Sequence, residues 1–199
     1  MRSNYHIRKA SMSDADHIAR LIDISSGGVA RIEWKEKAEK EDCDPIEIGE
    51  RNYRSDQGNY SWRNAIIAEK NGVVTGMLLA FPMPPEPKRD PAKRPTSNAA
   101  DIYAPYVYLE EPDSWYICGI AIYDRFRGQG LGTRLMEKTH QQARNNGFNK
   151  VSLAAFEENE ASVRLYQRLG YRIVDHAPIV PHPMIHYSGN ALLMVAELD

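Results

Sequence analysis

Residues 127–132 read Arg-Gly-Gln-Gly-Leu-Gly, three alternating glycines set directly after an apolar run of strand length, Trp115 to Tyr123, and directly before a helical pattern. Without Cβ atoms such a turn lets a ligand approach the main chain and permits φ > 0, so several N–H groups can converge on an anion. The following helix adds its positive end and first-turn donors that have no carbonyl upstream. In that helix Gly132, Leu135, Met136, Thr139 and Ala143 share one stripe, and Gly147 is placed to cap the end. A strand, a glycine turn and a helix in this order predict a diphosphate site. The same residues would also serve as a turn that only tightens a strand-helix corner. The spacing is not that of a nucleotide-triphosphatase loop, which needs Gly-Lys followed by Ser or Thr. It also misses the dinucleotide fingerprint, because its third glycine comes one residue early and the motif lies late in the chain.

The remaining segments fit around this unit. Tyr5 to Ala10 reads as a short strand, and Ser11-x-x-Asp14 resembles a capping box before a helix marked by Ile18, Leu21 and Ile22. That helix is expected to stop at Gly27-Gly28, and Arg31 to Arg54 to form two short helices broken at Asp44-Pro45. Ala65 to Glu69 and Val73 to Phe81 are apolar runs joined at Asn71-Gly72, a hairpin signal. Lys150 to Phe156 is a further strand, Glu160 to Leu169 a helix capped by Gly170, and Tyr171 to Val174 and Ala191 to Leu198 are closing strands. A hairpin in the first half and strands alternating with helices in the second predict an α/β chain with one mixed sheet covered by helices.

One stretch breaks the pattern. Eight of the twelve prolines lie between Pro82 and Pro112, with Lys88, Arg89, Lys93, Arg94, Tyr103, Tyr106 and Tyr108 among them. Proline lacks the ladder N–H, so residues 82–113 are expected to be a long insertion inside a single domain of residues 1–199.

Composition narrows the partners. Lys plus Arg number 25 and Asp plus Glu 27, a net charge of −2, which supplies no general field for a nucleic-acid backbone or an anionic membrane. A mean hydropathy of −0.55 and the absence of a long apolar run speak against a membrane span, and the charged amino terminus against a signal peptide, so a cytoplasmic protein is expected. Cys43 and Cys118 are too few for a disulfide framework. His182 and His186 stand four apart, but Pro181 and Pro183 argue against a helix there, so no metal site is expected. The charge run from Glu33 to Asp44 reads most simply as a solvated helix face.

With these residues in view, the sequence resembles the GNAT superfamily of acyl-CoA-dependent N-acyltransferases. Its Gln/Arg-x-x-Gly-x-Gly/Ala signature is matched by Arg127, Gly130 and Gly132. An Asn-x-x-Ala-x-x-x-Tyr pattern follows at the usual interval, matched by Asn159 and Tyr166, and then Leu169-Gly170-Tyr171. The resemblance covers about Trp115 to Val174. It implies a central, mostly antiparallel sheet with a parallel cofactor-binding strand pair, flanked by helices, and acetyl-CoA as cosubstrate. Main-chain groups of Ile120, Ala121 and Ile122 would hold the pantetheine arm. The N–H groups of Arg127, Gly128, Gln129, Gly130, Leu131, Gly132 and Thr133 would cradle the pyrophosphate, and Asn159 would hydrogen-bond the cofactor arm. Tyr166 would protonate the departing thiolate, a transfer from a phenol of ordinary pKa ~10 to a thiolate of ~8.5. Read from the sequence alone, Tyr166 could equally pack, as Leu165 and Leu169 do.

Many relatives carry a glutamate near the position of Cys118, and a cysteine of ordinary pKa is a poor base. Glu33, Tyr103, Glu157 and His176 are other candidates, and water is another. The implied acceptor is an amine, on a small molecule or a protein. The alternative is a non-catalytic acyl-CoA-binding sensor or scaffold. A homodimer is compatible with the sequence but not specified by it.

Overall fold

A computed structural model describes residues 5–86 and 102–198. The predicted hairpin is formed by β2 (Ala65–Lys70) and β3 (Val73–Pro82), antiparallel across Asn71 and Gly72, whose φ angles of 52° and 76° are those a tight two-residue turn requires. β1 (His6–Lys9) adds antiparallel to β2. β4 (Trp115–Ile122) runs parallel to β5 (Lys150–Phe156), and β7 (Asn190–Glu197) pairs antiparallel with both β5 and β6 (Arg172–Pro178). The strand order is β1-β2-β3-β4-β5-β7-β6, a mixed seven-stranded sheet with β4 and β5 as its parallel pair. This is the sheet the resemblance implied.

The helices fall where the punctuation put them. α1 (Ala15–Ser25) ends before Gly27 and Gly28, α2 (Val29–Glu41) follows, and α3 (Pro45–Tyr53) starts behind Asp44, whose carboxylate accepts from the Ile46 N–H. α5 (Leu131–Asn145) buries the predicted stripe of Leu135, Met136, Thr139 and Ala143. α6 (Glu160–Arg168) stops ahead of Gly170. Residues 182–186 are not helical, and among the described residues no group of His, Cys, Asp or Glu could hold a metal ion. Among the described residues, too, no helix is long and apolar enough to cross a membrane.

The chain divides into two compact units, one of the described residues through Ala80 with Gly119–Thr139, the other of Phe81–Cys118 with His140–Asp199. In the first, Ile18, Leu21, Ile67, Met77 and Leu79 are wholly buried, each a side chain worth about 1.5–3 kcal/mol of burial. The start of α1 is fixed by Asp14. Its carboxylate accepts from the N–H and hydroxyl of Ser11 at 2.8 and 2.9 Å and takes two bonds of 2.8 Å from the Arg8 guanidinium, which also reaches Glu69. Burial alone would raise the Asp14 pKa, but these donors outweigh it and hold the carboxyl down at about 2.

In the second unit Ile117, Val151, Leu153, Leu193 and Met194 form the core, and the hydroxyls of Ser114 and Ser152 meet at 2.7 Å beside it. The described ends of the proline-rich stretch belong here. Met83 N–H donates to the Ser114 carbonyl at 2.8 Å, and Asp113 N–H to the Pro84 carbonyl at 3.0 Å. Leu109 is wholly buried, and the Lys150 ammonium holds Glu111 and the Pro112 carbonyl. A short helix, α4 (Ala104–Val107), stands within the predicted insertion, with a proline in its first turn, where a missing N–H costs nothing. Residues 87–101 of the predicted insertion, with Lys88, Arg89, Lys93 and Arg94, lie outside the described residues.

Candidate functional site

In the first unit the end of β4 leads into the glycine turn. A Cβ on Gly119 would lie 2.6 Å from Ile22 Cδ1 and 2.7 Å from Ser25 Oγ, so any other residue would force these α1 side chains to shift. The next residues alternate, Ala121 buried and Ile120 and Ile122 half-buried. After them Tyr123 N–H donates to the Thr75 carbonyl at 3.0 Å. Arg127 turns its side chain back, its Nε donating to the Ile122 carbonyl at 3.1 Å and its guanidinium pairing with Asp124 at 3.0 Å. Its N–H is spent as well, donating to the Asp124 carbonyl at 3.1 Å, so against the sequence expectation the free main-chain donors of the turn begin at Gly128.

Gly128 and Gly130 adopt φ of 73° and 76°, the left-handed region that an L side chain rarely enters, and nothing lies within 4 Å of where their Cβ atoms would be. Glycine is required here by conformation, and the space in front is open. α5 begins directly, with Arg134 N–H donating to the Gly130 carbonyl. The N–H groups of Leu131, Gly132 and Thr133 thus form the first turn, which has no carbonyl upstream to bond. Residues 127–130 are exposed, so the donors expected from the sequence stand at the surface on a helix's positive end.

In the second unit Asn159 caps α6, its Oδ1 accepting from Ser162 N–H at 3.3 Å. That use leaves its Nδ2, a donor, as the group able to meet a cofactor carbonyl. Tyr166 lies two turns on and is only 7% exposed. Burial raises its phenol to about 12, and the neighbouring Ser162 hydroxyl acts in the opposite direction. Ser162 stands where the family pattern has alanine, so sequence reading passed over it, although its interval of four from Tyr166 puts both on one helix face. The Tyr166 ring packs at 5.9 Å from that of Tyr171, whose hydroxyl meets His140 Nε2 at 2.8 Å. Burial lowers the His140 pKa and raises that of Tyr171 well above the ordinary value, in each case disfavouring the charged form.

The corner before α6 is also pinned. Tyr187 stacks on Phe156 at 4.4 Å, Glu158 accepts from the N–H and hydroxyl of Ser188, and Glu157 accepts from Asn190 Nδ2 at 2.7 Å. Glu157 is thus committed to holding a loop. His176 is exposed on β6, and Cys118 and Tyr103 are half-buried. Glu33, exposed on α2, has enough protein around its carboxyl that desolvation raises its pKa.

Comparison with known proteins follows the same residues. The model of the family described as Acetyltransferase (GNAT) matches residues 28–171. The chain is 26% identical to the N-acetyltransferase YdgE of Bacillus subtilis over 153 residues, 77% of this chain and 78% of that one. It is 26% identical to the thialysine N-epsilon-acetyltransferase of Sus scrofa over 178 residues, 86% of each chain. Among solved structures, yncA of Salmonella typhimurium, solved with its cofactor acetyl-CoA, is similar with a TM-score of 0.58 and 19% identity, covering 99% of this chain and 95% of that one. At that identity the likeness is one of fold.

Proposed function

The chain belongs to the GNAT family of acetyltransferases, and from that premise we propose that it moves an acetyl group from acetyl-CoA to a primary amine by direct attack, with Tyr166 as the acid. N-acetyl transfer from acetyl-CoA is the family's reaction. The residues of this chain supply the finer assignment. Main-chain groups of Ile120 to Ile122 hold the pantetheine arm, the N–H groups of residues 128–133 take the pyrophosphate, the Arg127 N–H being bonded to Asp124, and Asn159 Nδ2 donates to the arm. Residues 1–199 serve as one acetyltransferase domain.

The reaction needs a neutral amine nitrogen aligned on the thioester carbonyl. The N–C bond forms, the C–S bond breaks, the amine gives up a proton to solvent, and the leaving sulfur receives one. The observation that carries the reading is Tyr166: a buried phenol on the helix that Asn159 caps, its pKa raised by burial. Burial has two consequences for it. It keeps the proton in place at every working pH, and it makes release harder than for a phenol of ordinary pKa. A thiolate leaving into the same dry surroundings is also destabilised, so the gap between donor and acceptor stays narrow.

The acceptor is proposed to be an aliphatic amine, since the pig relative is named for thialysine, which carries one. Thiol release should be followed with acetyl-CoA and a panel of diamines, lysine-like amino acids, aminated antibiotics and peptide amino termini. Amine-dependent CoA release with the aliphatic members is expected. Binding of acetyl-CoA without release on any amine would overturn the proposal.

A further inference from the structure

Gln129 sits between two glycines whose φ angles are 73° and 76°, a sequence in which the flanking peptides turn at little steric cost. Its position therefore has to be held from elsewhere. The Tyr5 hydroxyl donates to Gln129 Oε1 at 2.6 Å, a contact between residues 124 apart in the chain. Tyr5 is itself fixed. It is 5% exposed, its carbonyl accepts from the Arg134 guanidinium at 2.9 Å, and the Lys70 ammonium lies 5.3 Å from its ring centroid. Gln129 and Arg134 bracket Leu131, Gly132 and Thr133, the first-turn residues whose N–H groups have no upstream carbonyl to bond.

We propose that Tyr5 is a positioning residue for diphosphate recognition, tying both sides of the glycine turn so that its main-chain donors are arranged before acetyl-CoA arrives. The inference rests on the reading of residues 128–133 as the pyrophosphate site. A turn ordered in advance loses less conformational freedom on binding, and the saving appears as affinity for the diphosphate part of the donor only. Tyr5 touches no ligand in this scheme. It acts through Gln129 and Arg134.

The test compares two acetyl donors. Acetyl-CoA carries the diphosphate, and acetyl-pantetheine ends before it. Tyr5→Phe keeps the ring and its packing but removes one hydroxyl. The dissociation constant for acetyl-CoA should rise about three- to ten-fold, the worth of one hydrogen bond, while that for acetyl-pantetheine stays the same. Gln129→Ala, at an exposed position, should give a similar rise, and the double variant no more than either alone. An unchanged acetyl-CoA constant in Tyr5→Phe would overturn the proposal. Equal weakening of both donors would overturn it too, since that is the mark of a residue that only stabilises the fold. A wild-type protein that binds acetyl-CoA no better than acetyl-pantetheine would instead remove the pyrophosphate assignment, and the role of Tyr5 with it.

Discussion

Around Gly130 the side chains from Arg127 to Gln129 are exposed, and in the proposed reaction the main chain is what would act. Around Tyr166 the main chain is spent inside a helix, and in the same proposal one hydroxyl on a buried ring is what would act. The two regions should therefore fail in different ways. The glycine turn depends on backbone angles and open space, so it is sensitive to any Cβ and largely indifferent to which polar side chains surround it. The Tyr166 position depends on a single proton, so it should tolerate a change that keeps the ring and lose its chemistry when only the hydroxyl goes.

The largest effect expected is at that hydroxyl. Tyr166→Phe should lower the single-turnover rate by about 10²- to 10⁴-fold while acetyl-CoA affinity and thermal stability barely move. Because burial holds the phenol near 12, the ratio of wild-type to variant rates should be flat from pH 6 to 10. A ratio that falls between pH 8 and 10 would mean that another group is the acid. The same shift has a stability sign. Between the unfolded pKa near ~10 and the folded value, the unfolded chain has released a proton that the native state retains, so stability should fall as pH rises above 10. Urea midpoints across pH 9 to 12 would measure it.

Next in size is the turn. Acetyl-CoA at 100 times its dissociation constant should stabilise the wild-type protein by ~2.7 kcal/mol, and Gly130→Glu should erase that gain by forcing an unfavourable φ and adding a negative charge before the diphosphate. A thermal shift preserved in that variant would break the contrast between the two regions.

A scaffold residue calibrates both. Asp14→Ala removes a helix-start acceptor and the partner of Arg8, and should cost about 2–3 kcal/mol without changing the preference for acetyl-CoA over acetyl-pantetheine. The folded pKa of Asp14 lies near 2, below the unfolded value of ~3.9, so its contribution is complete above pH 4 and lost as pH falls towards 2. The difference between wild type and variant should shrink over that window in acid denaturation. The smallest effect expected is that of Ser162→Ala. Losing the hydroxyl that lowers the Tyr166 pKa should slow single turnover by about three- to ten-fold and leave the α6 cap, made by the Ser162 N–H, intact.

What the sequence made legible is what is local. Asn71-Gly72, Gly27-Gly28, Asp44-Pro45 and Gly170 mark turns and helix ends because each acts within a few residues of itself. The glycine turn was visible for the same reason, since its glycines are needed for angles that their own neighbours impose. The ties that hold these parts were not legible. Tyr5 to Gln129, Arg8 to Glu69 and His140 to Tyr171 join residues far apart in the chain, and nothing in either residue's immediate neighbours announces its partner. α4 escaped for a related reason. In a proline-rich stretch a four-residue helix has too few positions to show a period.

The hydrogen bonds from Met83 to Ser114 and from Asp113 to Pro84 lace the proline-rich stretch shut at its neck, and Leu109 and Glu111 anchor the return leg. Both bonds run from main chain to main chain, so the neck is indifferent to which side chains stand at positions 83, 84, 113 and 114, except that a proline at 83 or 113 would remove the N–H and unlace it.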